Sequence, residues 1–512
     1  MRLLQAFLLF ALGQAVICPA ANAASGTLSD SACTALAGQN FTPAVGTMVT
    51  VTTANVINRG TVPHCHILAT IAPYTGVEIQ LPLSDWNGRL LFTGCGGLCG
   101  LIRTEQGADA LARRYAVATT DMGHQLAPGE DARAWTTDQD LVVEWQHRAT
   151  HRATLLTKAV IAAGYGQPQD HAYFRGCSTG GRQGLTEALM YPDDYDGIIA
   201  GAPAAQMVTP HNVFAYASTF WPDGSNIFTE TALSLLAHAV IGACDMDDGL
   251  EDGVIGNPGA CAFNPYRLRC EGPATDDCLT DEQIATAEKV YSGARRDDGA
   301  RFYPMGYAKG TELDWIAGFL GANGRPPRRA GSAQFTVERK IGPDATLADF
   351  DYAKHGATGS PVGGLLDFGP NGKKLGRYVN GGGKILLYHG WSDTDATPAS
   401  SLFFYRSQAD AFGEDALPNF LRLFMFPGMT HCRGGSGVDT ADFLDAIEGW
   451  VEDGEAPESL EAFRTTASPF NYNTHPLDPE NVVAGRTLFP YPAASVYDGS
   501  GDSNDPQNWT KK

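Results

Sequence analysis

"FRGCSTGGRQ", Phe174–Gln183, decides how the rest of the chain is read. Ser178 stands between Gly176 and Gly180, so the stretch fits G-x-S-x-G. The apolar "HAYF" leads into it and "GRQGLTEALMYP" follows as a helix. Strand, glycine-flanked serine and helix together make a nucleophile elbow. There the serine sits on a strained turn, and only small neighbours let the backbone pass. The helix start adds free N–H groups and positive potential for an oxyanion. G-x-S-x-G alone also fits an ordinary glycine-rich loop. A serine nucleophile needs a base, and the base an orienting acid, elsewhere in the chain.

Both follow, in order. "GKILLYHGWSD" (Gly383–Asp393) and "LRLFMFPGMTHC" (Leu421–Cys432) each run from an apolar strand into a turn, and carry Asp393 and His431. Asp395 is the second choice of acid. His389 precedes Asp393 and reads as a packing or hydrogen-bonding residue. Serine, acid, histidine, each at a strand end, is the order of an α/β-hydrolase. One oxyanion donor is then the N–H of Thr179. The other is expected from "FTGCGGLCG" (Phe92–Gly100), with Gly97 preferred over Gly96 because glycine lets the backbone approach a substrate. The same loop also reads as a turn closed by a Cys95–Cys99 bridge.

Other apolar runs ending in glycine turns are "GRLLFTGCGG" (Gly88–Gly97), "YAVATTDMG" (Tyr115–Gly123) and "DGIIAGAPA" (Asp196–Ala204). They read as buried parallel strands. "VVEWQHRATHRATLLTKAVIAAGYG" (Val142–Gly166) is a helix with a glycine stop. The fold class is α/β: an α/β-hydrolase fold with a mostly parallel sheet. Alternation fails over 205–380, which reads as an inserted lid domain between the catalytic segments 24–204 and 381–512. The tail after Ser468 reads as a surface wrap, with its last dozen residues a candidate for disorder.

A formal net charge of -21 argues against nucleic acid and against an anionic membrane surface as partners. Residues 1–23 have an early Arg2, an apolar stretch and Ala21-Asn22-Ala23, the marks of a cleaved signal peptide. Export, periplasmic or extracellular, is expected. Of the 11 cysteines, Cys18 leaves with the leader, and an even set in an oxidising compartment implies disulfides rather than a metal cluster.

At this point the chain resembles the tannase and feruloyl esterase family, which includes enzymes of the mono(2-hydroxyethyl) terephthalate hydrolase type. The matching stretches are "GCSTGGRQ", "YHGWSD", "PGMTHC" and "ACDMDDGLEDGVIGNP" (Ala243–Pro258), in the same order over nearly the whole mature chain. The resemblance implies disulfides Cys177–Cys432, Cys244–Cys261, Cys33–Cys65 and Cys270–Cys278. Cys95–Cys99 remains by elimination. It also implies a structural calcium ion in the lid, held by the side chains of Asp245, Asp248 and Asp252 and the carbonyls of Leu250 and Val254. Read without the family, that stretch is a solvated acidic loop, although interleaved carboxylates and carbonyls do suit a hard cation.

The expected activity is that of a serine esterase on esters of aromatic carboxylic acids, working through an acyl-enzyme with no organic cofactor. A general carboxylesterase or a terephthalate monoester hydrolase on the same scaffold is the alternative. An inactive hydrolase-fold binding protein is the rival from another class. Trp315, Phe319 and Phe335 are candidate substrate contacts in the lid, with core packing the competing role. Arg325, Arg328 and Arg329 read as a solvated basic turn.

Overall fold

The computed structural model describes residues 26–60, 62–125, 131, 133–205, 208–221, 223–295, 298–356, 375–466 and 479–512. The expected leader, with Cys18, lies outside them, as does part of the 205–380 segment. Nine strands form one sheet: β1 (Val49–Ile57), β2 (His64–Ile71), β3 (Thr75–Pro82), β4 (Arg89–Thr93), β5 (Ala116–Thr120), β6 (His171–Cys177), β7 (Gly197–Gly201), β8 (Lys384–Gly390) and β9 (Leu421–Phe426). Their order is β1-β2-β3-β5-β4-β6-β7-β8-β9. From β5 across to β9 every pairing is parallel. These six strands are the six apolar runs read from the sequence. The three-stranded antiparallel edge, β1–β3, was not among them.

Both faces of the parallel part are buried, which is why its strands read as continuous apolar runs. Leu90 and Phe92 of β4 point into one core with Ala153, Leu156 and Val160 of the helix Ala149–Tyr165. Leu91, between them, points to the opposite core with Tyr173, Leu444, Ile447 and Trp450. The strand period of two thus divides one run between two layers. The helix stops at Gly166, in the left-handed conformation at φ 74°.

Among the described residues, no strand joins the sheet between Gly201 and Lys384. The described residues there form helices, including Val208–Ala217, Glu230–Cys244, Asp281–Ser292 and Ala330–Lys340, around their own apolar cluster. Trp315 and Phe319 sit at the centre of that cluster, each 1% exposed. The C-terminal residues correct the expectation of a disordered end. Val482–Leu488 pairs with Leu460–Thr465, and Ser495–Tyr497 pairs with Trp509–Lys511.

All five expected disulfides are present: Cys33–Cys65, Cys95–Cys99, Cys177–Cys432, Cys244–Cys261 and Cys270–Cys278. No helix among the described residues is long and apolar enough to cross a membrane.

Candidate active site

Ser178 follows the last residue of β6 and precedes the helix Thr179–Met190. Its φ of 63° is a left-handed conformation that L-residues adopt at a cost. The glycines explain how the turn closes. A Cβ on Gly176 would lie 2.6 Å from the Gly180 carbonyl carbon, and one on Gly181 would lie 2.2 Å from the Gly201 oxygen. The Ser178 N–H donates to that same Gly201 carbonyl at 3.0 Å, so the elbow is tied to the end of β7.

The three expected groups meet. His431 Nε2 lies 2.8 Å from Ser178 Oγ, and His431 Nδ1 lies 2.7 Å from Asp393 Oδ2. Asp393 is buried, and its Oδ1 accepts N–H bonds from Asp395 (2.8 Å) and Ala396 (2.9 Å). Burial works against its ionisation. The charges and hydrogen bonds of His431 and His389 outweigh that and hold the Asp393 carboxyl well below the usual carboxylate range. For His431, burial opposes the proton, but the Asp393 charge and hydrogen bond prevail and raise it above the ordinary histidine value. Asp395 is not the partner of His431. Its carboxylate pairs with Arg329 Nη1 at 2.7 Å. His389 is fully buried, bonded to Ser401 Oγ at 2.7 Å and to the Ala396 carbonyl.

Two residues of the motif have roles the sequence did not disclose. The Thr179 hydroxyl donates to the Gly97 carbonyl at 2.6 Å, and Gln183 Oε1 accepts the Cys95 N–H at 3.0 Å. The elbow helix therefore holds the glycine loop from two side chains. Gly97, at φ 59°, and Gly96 each have open space where a Cβ would project. Neither of their N–H groups has a hydrogen-bond partner among the described residues. Thr179 is the first residue of its helix, so its N–H has no acceptor within that helix. Two amide donors at one serine are what an oxyanion hole requires.

A cavity of about 470 Å³ holds Ser178 and His431. Gly97, Arg103, Tyr388 and Phe443 are among its walls, and both halves of the Cys177–Cys432 bridge face it. Trp315, Phe319 and Phe335 do not line it. The first two are packing residues of the inserted segment's own cluster, a correction to their reading as substrate contacts. Aromatic rings that fill a core and rings that clamp a substrate look alike in a sequence. Phe335 lies under the Arg133 guanidinium, 4.6 Å from it, and packs on the cluster of Cys95, Cys99 and Trp135.

The basic turn is exposed at Arg325 and Arg328, as expected, and is corrected at Arg329. Arg329 is buried, bonded through Nη1 to Asp395 and through Nη2 to the Thr394 carbonyl. Arg328 pairs with Asp314 at 2.6 Å, and Asn212 Nδ2 donates to the Asp395 carbonyl at 2.7 Å. Residues of the inserted segment therefore clamp the two positions that follow the triad acid.

The acidic loop presents oxygen only. Asp245 accepts N–H bonds from Gly253 and Val254, while Arg486 bonds Asp248 Oδ2 at 2.9 Å and Asp252 Oδ2 at 3.3 Å. Three carboxylates face one buried guanidinium. Burial, only partly offset by Arg486, pushes Asp248 up to about 6 and raises Asp252. An uncompensated excess of hard oxygen donors fits a divalent cation such as calcium. The aspartate oxygens do not all lie within 4.8 Å of one another. Among the described residues the only such group of three is His151, Glu187 and Asp194.

A serine hydrogen-bonded to a histidine, itself hydrogen-bonded to a buried aspartate on an α/β sheet, defines a serine hydrolase of the α/β-hydrolase type. The family model for tannase and feruloyl esterase matches residues 55–511, and the chain belongs to that family, whose members are carboxylic ester hydrolases. It is 30% identical over 521 residues to mono(2-hydroxyethyl) terephthalate hydrolase of Piscinibacter sakaiensis, covering 87% of this chain and 84% of that protein. It is 27% identical over 498 residues to feruloyl esterase B of Aspergillus niger, covering 93% and 91%. The crystal structure of feruloyl esterase B from Aspergillus oryzae superposes with a TM-score of 0.77 at 25% identity, covering 94% of this chain and all of that one.

Proposed function

We propose that this esterase is exported and hydrolyses esters of aromatic carboxylic acids through an acyl-enzyme. The observation that carries the reading is the Ser178–His431–Asp393 chain of hydrogen bonds opening onto the 470 Å³ cavity. His431 takes the Ser178 proton as Oγ attacks the ester carbonyl. Asp393, held ionised, keeps Nδ1 protonated and offsets the charge that forms on the ring. The Thr179 and Gly97 amides receive the negative charge on the carbonyl oxygen. His431 then returns its proton to the leaving alcohol, and activates the water that releases the acid.

The names of its relatives support an aromatic acyl group, and the aromatic walls Tyr388 and Phe443 suit one. Five disulfides and the leader-like N-terminus support export. Asp245, Asp248 and Asp252, with the carbonyls of Leu250 and Val254, would hold calcium, and the ion would neutralise the loop and brace the lid. Labelling of Ser178 by a fluorophosphonate tests the nucleophile, and folded protein that does not label sinks the reading. A panel of feruloyl, galloyl and terephthalate monoesters against aliphatic esters and peptides tests the substrate class. Preference for peptide or aliphatic ester would reverse it.

A further inference from the structure

A basic furrow runs along the seam between the lid and the core, and shares no residue with the cavity at Ser178. We propose that it binds a chain of anionic sugars. Two adjoining hollows, of about 1250 and 650 Å³, meet at Arg406, Tyr491 and Pro492. Among the described residues, the first carries Lys289, Arg295, Arg301, Lys309 and Arg406 against one carboxylate, Glu288. The second adds Arg422, Lys511 and Lys512 against Glu414 and Glu458. This excess stands in a chain with 36 Lys and Arg against 57 Asp and Glu, so it is opposite in sign to the molecule as a whole.

The charge is also left available. Arg295, Arg301 and Lys309 donate to the carbonyls of Gly299, Pro304 and Cys261. Bonds to carbonyls orient a cation without neutralising it. None of the five cations of the first hollow forms an ion pair among the described residues. In the second, Arg422 is paired with Glu458 at 2.7 Å. Aligned cations between low-dielectric walls concentrate a positive potential that draws in anions.

The shape selects the kind of anion. The larger hollow exceeds the roughly 300–1,000 Å³ of ordinary small-molecule pockets, and it continues into a second. That suits an extended polymer better than a single small ion. At the junction the partly exposed Tyr491 stands edge-on to Tyr405, ring centroids 5.3 Å apart, beside the exposed Pro492. A flat apolar shelf flanked by guanidinium groups suits the C–H face of a sugar ring with an acidic substituent at its rim.

The test uses the full chain carrying Ser178→Ala, so that no ester bond is turned over. Binding of an oligogalacturonate and of dextran sulfate is measured by calorimetry, with a maltooligosaccharide as neutral control and poly-glutamate as peptide control. Either acidic glycan should bind, more weakly as salt rises, and the two distinguish carboxylate from sulfate as the recognised group. Changing Lys289→Ser, Arg301→Ser and Arg406→Ser together should weaken binding about tenfold, or about 1.4 kcal/mol shared among three exposed charges. The same triple change with Ser178 intact should leave hydrolysis of a small soluble ester unaltered, which also shows that it folds. The proposal falls if neither acidic glycan binds at low salt, if the neutral sugar or poly-glutamate binds as tightly, or if the triple change has no effect. Because binding does not use Ser178, failure of the esterase reading would leave this result interpretable.

Discussion

Replacing Cys177 and Cys432 together by alanine separates what their bridge does for stability from what it does for turnover. The bond spans 255 residues of sequence. In the chain-entropy model a loop of that length constrains the unfolded state by about 5.5 kcal/mol, an upper bound when four other bridges already restrict the chain. The catalytic effect has a different origin. Cys177 directly precedes the nucleophile and Cys432 directly follows the base, so the bridge joins the backbones beside both reacting groups. Cys432 and Ser178 have φ of 66° and 63°, positive values that cost L-residues about 1–3 kcal/mol each and persist only where the surroundings hold them. The 2.8 Å contact between His431 and Ser178 has no other covalent brace. A displacement of about 1 Å between reacting groups costs roughly 100-fold in rate.

The double variant should therefore lose up to about 5.5 kcal/mol in urea unfolding, and about 100-fold in kcat on a soluble aryl ester. Titration of active sites with a fluorophosphonate counts the folded fraction, so that the kcat loss is expressed per competent molecule. A folded double variant with wild-type kcat per titrated site would refute alignment as the role of the bridge. It would leave only the stability effect.

Because His431 must be neutral to accept the Ser178 proton, kcat/KM should fall as pH drops through its pKa, which Asp393 raises above the ordinary histidine value. Asp393→Asn removes the main group favouring the protonated ring, so the limb should move to lower pH while kcat drops about 10⁴-fold through the wrong tautomer. A pH–rate series on both proteins checks this. Arg329→Met removes a buried cation that disfavours His431 protonation, and frees Asp395, which favours it. The acid limb should move upward, and stability should fall by about 1–3 kcal/mol for the lost charged hydrogen bonds. An unmoved pH profile would leave Arg329 a purely mechanical latch. If the acidic loop holds calcium as proposed, a chelator should lower the thermal midpoint by a few degrees, as expected when a ligand at about 100 times its Kd, worth about 2.7 kcal/mol, is withdrawn. Fluorophosphonate labelling below that midpoint should be unchanged.

What was legible in the sequence, and what was not, follows from how far apart interacting residues lie. The six parallel strands are buried on both faces, so each shows as an unbroken apolar run closed by glycine. β1 has one buried residue among nine, and its polar alternation gives a weaker signal. Asp393 and Asp395 stand two residues apart in one turn, and composition does not rank them. Burial, and the N–H groups of residues 395 and 396 aimed at Asp393 Oδ1, make the choice.

Arg329 looked solvated because nothing near it in the chain is its partner; Asp395 lies 66 positions on. The elbow shows the same limit within the most informative motif. Ser178 was recognised from glycines two residues away, because local sterics demand them. Thr179 and Gln183 act on Gly97 and Cys95, 82 and 88 residues earlier, and no local spacing announces that. The motif thus encodes two things at once: a turn that exposes a hydroxyl, and two side chains that hold the glycine loop, the proposed oxyanion site, against the elbow. Thr179→Val, which keeps shape but removes the bond to Gly97, separates them. It should lower kcat with little change in KM, since the loop is needed for the transition state more than for the bound ester. An equal loss in binding and turnover would show instead that the loop positions substrate.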